Sequence, residues 1–321
     1  MQAAYCDSYG PASSIIVKEV PKPIASDDQV LVKVYSSSVT TGNVKLRNFK
    51  GMSFVYRFFG RLAFGIFKPR NKVIGSEFAG TVESIGKNVN KFKVGDKVYG
   101  LVIFGANAEY LCASQDKICK MPTNFDFDQA ATIPFGAATA IQFLQDIPKG
   151  KSILINGASG GVGLYAVQLS KLQELEVTGV SSGVNKDLVL KMGANDILDY
   201  TKVDIFKTER QFDYILDIVG NINYKLCKHM LTSTGQLLKV NAEIGDWFSK
   251  GEGQQKVVCK IVAADKVEVF LKLNGLIESG KLISHIEKRF ELKEIVEAHE
   301  HVENGHKVGS VVIVINKDIN K

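Results

Sequence analysis

The run Ser152-Ile-Leu-Ile-Asn-Gly-Ala-Ser-Gly-Gly-Val-Gly-Leu-Tyr-Ala-Val-Gln-Leu-Ser170 carries the densest chemistry in the chain. A short apolar strand feeds Ala158, Ser159, Gly160, Gly161, Val162 and Gly163, with the spacing A-x-G-x-x-G, and a helix follows at once. At Gly160 the backbone can approach a pyrophosphate, and Gly163 lets the helix pack close on the strand. The helix N-terminus adds unpaired N–H groups and a positive dipole end. Such a loop binds a dinucleotide when it lies between a strand and a helix, as it does here. The segment lacks charge over a bilayer's length, but its glycines and polar side chains argue against a membrane span.

The next strand decides which dinucleotide. An NAD site puts a carboxylate near its end for the ribose 2′-hydroxyl. Here the chain reads Val177-Thr-Gly-Val-Ser-Ser-Gly-Val-Asn-Lys186, with no acid before Asp187. Ser181, Ser182 and Lys186 offer hydroxyls and a cation that suit a 2′-phosphate, so NADPH is the expected cofactor. Asn241, at the end of a later strand, falls where strand termini meet ligand.

Positioning these groups requires an α/β scaffold. From Ser152 onward, apolar runs alternate with helix-length segments: 153–155, 176–180, 196–198, 214–218, 237–240 and 257–262. Helices are expected at 161–171 and 185–192. This pattern predicts a doubly wound parallel sheet, a Rossmann domain, over 122–264. Residues 1–121 read as β-rich, with strands at 30–34, 77–85, 94–100 and 109–113 and no sustained helical period, so a barrel-like module is expected. After 265 come an amphipathic helix (Val267, Phe270, Leu271, Leu273, Asn274, Ile277) and a strand at 308–315, which could complete the first domain.

Composition narrows the function classes. The 321 residues are 45% hydrophobic and 23% charged, an ordinary globular balance. No secretory signal is apparent, and five cysteines without a C-x-x-C pair argue against a disulfide framework or a zinc knot, so the cytoplasm is expected. From Gln29 to Ser76 there is no acid, while nine lysines and arginines fall there, more than the whole excess of 40 basic over 34 acidic residues. Such a patch suits a phosphate-bearing ligand, a membrane surface or a nucleic acid, or is simply a solvated face. No nucleic-acid reading motif accompanies it, so no nucleic-acid partner is expected.

Several stretches together resemble the medium-chain dehydrogenases/reductases, in the zinc-independent quinone oxidoreductase-like (zeta-crystallin-like) branch. They are Gly75–Gly80, Val94–Gly100, Gly105–Tyr110, Ala130–Pro134, Thr139-Ala140, Asn156–Gly163, Ala298-His299 and Gly309–Val312. The resemblance covers nearly the whole chain. It implies a GroES-like domain beside the Rossmann domain, with nicotinamide and substrate meeting in a cleft between them. Zinc-using relatives need a Cys, a Gly-His-Glu histidine and a third ligand; here Thr40, Ser76 and Ile133-Pro134-Phe135-Gly136 stand at those places. No metal is therefore expected. Without a Lewis acid, reduction of quinones or α,β-unsaturated carbonyls by NADPH is easier than alcohol oxidation, because the acceptor spreads its own charge. A non-catalytic NADPH-binding protein and an alcohol or aldehyde dehydrogenase-type enzyme remain as alternatives. The resemblance implies that Tyr200 lies near the 2′-phosphate, Thr139 near the nicotinamide, and Thr40 and Asn43 near the substrate carbonyl. It also implies a small hydrophobic carbonyl or quinone substrate and a homodimer. The five histidines fall late and are expected to be structural or at the surface.

The segment Phe54–Phe67 carries aromatics with Arg57 and Arg61 at i, i+4. It reads as an aromatic lid in which Tyr56 donates a proton, as a membrane-surface helix, or as a helix packed on its domain with the arginines outward. Membrane contact is the least favoured of these.

Overall fold

The computed structural model describes residues 1–260 and 266–317. The chain forms two compact units. One comprises Met1–Phe135, Ala264–Gly280 and Ser284–Lys321; the other comprises Gly136–Ala263 and Lys281–Ile283.

In the second unit, β-branched and leucine-rich runs build a six-stranded, fully parallel sheet. Its order is Asp196–Asp199, Glu176–Ser181, Ser152–Asn156, Phe212–Asp217, Leu231–Lys239, Lys256–Cys259. The chain starts at Ser152–Asn156, runs to one edge, then returns to lay down the other three strands. The reversal beside the first strand is where doubly wound sheets bind ligand. Leu154, Val180, Phe212, Ile215, Met230 and Leu237 share one buried cluster on this sheet. Every expected strand of this domain is present; residues 261 and 262 of the last lie outside the described residues. The uncharged run divides into the strand Ser152–Asn156 and the helix Gly161–Leu172. No helix among the described residues is long and apolar enough to cross a membrane.

The first unit centres on the long strand Gln29–Val39. It pairs antiparallel with Glu77–Ile85, Tyr110–Ser114 and Ser310–Val314, and bulges between Leu31/Val32 and Val34/Ser36 accommodate these neighbours. The seven-stranded sheet also takes in Ile286–Glu291, Lys97–Leu101 and Ile118–Lys120, and Gln2–Cys6 pairs separately with Ile15–Glu19. The tail helix Val267–Glu278 buries Phe270, Leu273 and Ile277, while its Asn274 accepts from the Tyr99 hydroxyl at 2.8 Å.

Two expectations for this region need correction. The first 120 residues do contain helices, Thr41–Asn48 and Phe54–Phe64. The earlier one has too few apolar residues to show a period; its signal was the cap, where Thr40 and Asn43 form a reciprocal capping box. The later one turns Arg57 outward but not Arg61, so the reading of a packed helix with both arginines outward fails at Arg61. Phe54, Phe58, Phe59 and Leu62 are exposed, while the Arg61 guanidinium lies over the Tyr9 and Phe49 rings, 5.0 and 5.7 Å from their centroids.

Candidate active site

The glycine loop of the second unit is shaped by backbone crowding. Gly157 has φ +87°, a conformation that disfavours other residues, so the tight turn belongs to Gly157, one residue before Ala158. A Cβ on Gly163 would stand 2.0 Å from the Gly157 carbonyl oxygen and 2.7 Å from the Ala158 carbonyl carbon. No side chain fits there. Beside Gly160, by contrast, a Cβ would meet only the Gly157 oxygen at 3.5 Å, leaving room for a ligand to approach the backbone. Gly160 caps the helix Gly161–Leu172 without any side-chain hydrogen bond, so the first-turn N–H groups, from Gly161, Val162 and Gly163, are not satisfied by a cap. This is the geometry of an anion cradle.

Three further strands bring Ser181, Tyr200 and Asn241 to the same carboxyl edge of the sheet. The Gly157 and Ala158 amides donate to Val180 O at 3.2 and 3.0 Å, holding the loop against the strand that ends at Ser181. Ser159 Oγ accepts from Asn185 Nδ2 at 3.4 Å. Ser181 is buried, Ser182 half-buried and Lys186 exposed at the start of the helix Lys186–Lys191. Tyr200 is 47% exposed, and its amide donates to Ser181 O. Asn241 follows Leu231–Lys239, with Nδ2 donating to Ile218 O at 2.6 Å. Thr139 is buried in the helix Ala138–Leu144, and its hydroxyl finds no partner among the described residues. An orphaned buried hydroxyl of this kind is what a ligand carboxamide could satisfy. The residues present therefore fit a nicotinamide dinucleotide.

Sequence reasoning missed two features of this edge. The strand Glu176–Ser181 indeed ends without an acid, but its neighbour brings one: Asp199 pairs in register with Ser181. Asp199 accepts from the Thr201 hydroxyl at 2.7 Å and its amide at 3.0 Å, and also from the Gly183 amide; these bonds hold its carboxyl below the usual range. The second is a buried ion pair between Lys239 Nζ and Asp217 Oδ2 at 2.8 Å. Asp217 also accepts from Asn156 Nδ2, Gly220 N and Ile222 N at 2.9–3.1 Å, which fixes the loop after Phe212–Asp217.

In the first unit, Thr40 and Asn43 are brought together with Ser76. Asn43 Oδ1 accepts from both the Thr40 amide and hydroxyl at 2.8 Å, and Asn43 Nδ2 donates to Ser76 Oγ at 2.9 Å. Ser76 Oγ in turn donates to Ile103 O at 3.0 Å. A carboxamide has two N–H bonds, so one of Asn43's remains uncommitted among the described residues. Tyr56 is half-buried on the helix Phe54–Phe64. These hydroxyl and carboxamide donors do not fit zinc, which takes thiolate, imidazole and carboxylate. No group of three His, Cys, Asp or Glu among the described residues is arranged to hold a metal.

Next to Ser76, Glu77 is buried. Its Oε1 accepts from Phe135 N at 2.6 Å and its Oε2 from the Ser38 hydroxyl. Burial pushes this carboxyl up to about 7, against the pull of those two bonds and of the Lys307 charge. His299 is also buried, with both ring nitrogens unpartnered among the described residues, and burial together with the Arg47 charge holds it down to about 3. All five cysteines are free thiols; burial pushes Cys119 up to about 11 and Cys227 to about 12, and raises Cys112 and Cys259 as well.

Known proteins resemble this chain over most of its length. Residues 26–123 match the family "Alcohol dehydrogenase GroES-like domain", and residues 192–313 match "Zinc-binding dehydrogenase". The chain is 27% identical to the human quinone oxidoreductase over 314 residues, covering 92% of each chain. It is 29% identical to the chloroplastic NADPH-dependent alkenal/one oxidoreductase of Arabidopsis thaliana, covering 94% of this chain and 74% of that one. Its fold superposes on the quinone oxidoreductase of Coxiella burnetii with a TM-score of 0.88 at 29% identity, covering 98% and 99% of the two chains. With its parallel dinucleotide-type sheet and GroES-like unit, this chain belongs to the medium-chain dehydrogenase/reductase superfamily, as an oxidoreductase of the quinone oxidoreductase-like branch.

Proposed function

We propose that the chain is an NADPH-dependent, zinc-independent reductase of quinones or α,β-unsaturated carbonyls. The observation that carries this reading is the Thr40–Asn43–Ser76 hydrogen-bond chain, where a metal-using relative would need ligands. Hydrogen bonds alone can stabilise the oxygen of a conjugated acceptor, because its π-system takes up the incoming charge. A saturated alcohol, in contrast, needs help to lose its proton. The names of the human and Arabidopsis relatives support the same substrate class.

In this reading Ala158 through Gly163 hold the pyrophosphate, Thr139 and Asn241 the nicotinamide half, and Ser181, Ser182, Lys186 and Tyr200 the 2′-phosphate. Nicotinamide, when bound, supplies the hydride. The chain's own contribution on the substrate side is the uncommitted Asn43 N–H, oriented by Thr40 and Ser76, with Tyr56 as a second candidate for delivering a proton. Asp199 adds a negative charge near the 2′-phosphate groups, yet its oxygens are already engaged by Thr201 and Gly183. Lys186 and the serines then decide the preference.

The test is a cofactor-oxidation screen with para-benzoquinone, a short alkenal and a cyclic enone, NADPH and NADH in parallel, before and after EDTA dialysis. A charge-assisted contact is worth roughly 1.5–3 kcal/mol, so NADPH should be preferred by about tenfold or more. Ser181→Asp should erase that preference, and Asn43→Ala should lower kcat/KM without weakening NADPH binding. Equal use of NADH, or activity that EDTA abolishes, defeats the reading.

A further inference from the structure

The helix Phe54–Phe64 turns its apolar side away from the body that holds it. At 100° per residue, Phe54, Val55, Phe58, Phe59 and Leu62 fall on one arc, and they are 40–76% exposed. Ile66 and Phe67 extend this surface at 51% and 90% exposure. The opposite arc is the anchored one. A Cβ on Gly60 would come within 2.7 Å of the Phe49 ring, Phe64 meets Phe104 edge-on at 5.3 Å, and Tyr9 Oη donates to Gly65 O at 2.9 Å. A helix on a water-facing surface has the reverse polarity. This apolar arc is therefore held outward by specific contacts, and contiguous exposed apolar surface of this kind marks an interaction site.

Its rim is cationic. Arg57, Lys68 and Arg70 are exposed and none of the three forms a salt bridge among the described residues, while the Lys68 charge also acts on the carboxyl of Asp7. No acid occurs from Gln29 to Ser76. We propose that this face docks on an anionic lipid surface, the aromatics entering the boundary between headgroups and acyl chains while the arginines and lysines meet lipid phosphates. A second copy of the chain is a poor occupant, because a two-fold contact would set this cationic patch against itself. The helix has 11 residues, or about 16 Å, so it lies on the bilayer and does not cross its roughly 30 Å core. This assignment is independent of the reductase reading.

The experiment is sedimentation of the full-length protein with vesicles of phosphatidylcholine alone or with about one third phosphatidylserine. Partitioning onto the anionic vesicles should exceed that onto neutral ones by about tenfold and should fall in high salt, as screening shortens the reach of exposed charges. Phe58→Glu with Phe59→Glu should reduce it at least tenfold, and Arg57→Glu severalfold, with the melting temperature unchanged because these side chains are exposed. Absence of wild-type binding, or binding that survives both changes, overturns the proposal. So does a result in which the Phe58→Glu and Phe59→Glu pair alters only self-association in sedimentation velocity, or only kcat/KM, with no vesicle binding to lose.

Discussion

Two helices of nearly equal length divide the molecule by how they are held. Gly161–Leu172 buries nine of its residues, from Val162 through Ser170, whereas Phe54–Phe64 buries none. Apolar content does not separate them, since both are rich in large hydrophobics. What differs is backbone approach. Gly163 lets the first helix touch the preceding loop with nothing between them, and Gly60 gives the second only one ring to lean on. A helix is enclosed when small residues allow close approach on several sides; without them, the apolar side stays outside and becomes available to a partner. The same contrast holds for charge. Lys239 and Asp217 are buried as a bonded pair, while Glu77 is buried with neutral donors and only a nearby lysine.

The largest effect should come from filling the closest approach. Gly163→Ala puts a methyl group 2.0 Å from a carbonyl oxygen that cannot move aside, and overpacking against backbone should cost about 3 kcal/mol or more. Urea unfolding measures it, and a loss below about 1 kcal/mol would break the contrast. Next is the lone carboxyl. Because its folded pKa of about 7 lies above the ordinary 4.5, Glu77 contributes stability that is complete below about pH 4.5 and is lost as pH rises through 7. That difference amounts to about 3 kcal/mol. Glu77→Gln should flatten the stability profile between about pH 5 and pH 8; an unchanged slope would show that Glu77 is not the group titrating. The smallest effect belongs to the open helix: Phe58→Ser should leave the unfolding free energy within about 0.5 kcal/mol, as surface substitutions do. A larger loss would mean that the exposed arc is covered after all.

The legibility of these features in the sequence follows the range of their causes. The six parallel strands could be read from local apolar runs, and the glycine loop from its spacing, because each is written within a few residues. Asp199 could not, since its place beside Ser181 depends on strand register across a crossover. The outward face of Phe54–Phe64 was equally hidden: periodicity shows that a helix has two sides but not which one meets Phe49. The Thr41–Asn48 helix was within reach, through Thr40 and Asn43 as a cap, but a search for apolar period passes over it.

The free thiols have a consequence for chemical durability. Electrophiles such as quinones and enals add to thiolate and hardly at all to protonated sulfur. With Cys119 pushed up to about 11 and Cys227 to about 12 by burial, both stay protonated at neutral pH. Burial thus guards these sulfurs twice, by excluding the reagent and by withholding the reactive charge. Cys119 and Cys227 therefore remain in the chain as sulfurs that resist alkylation.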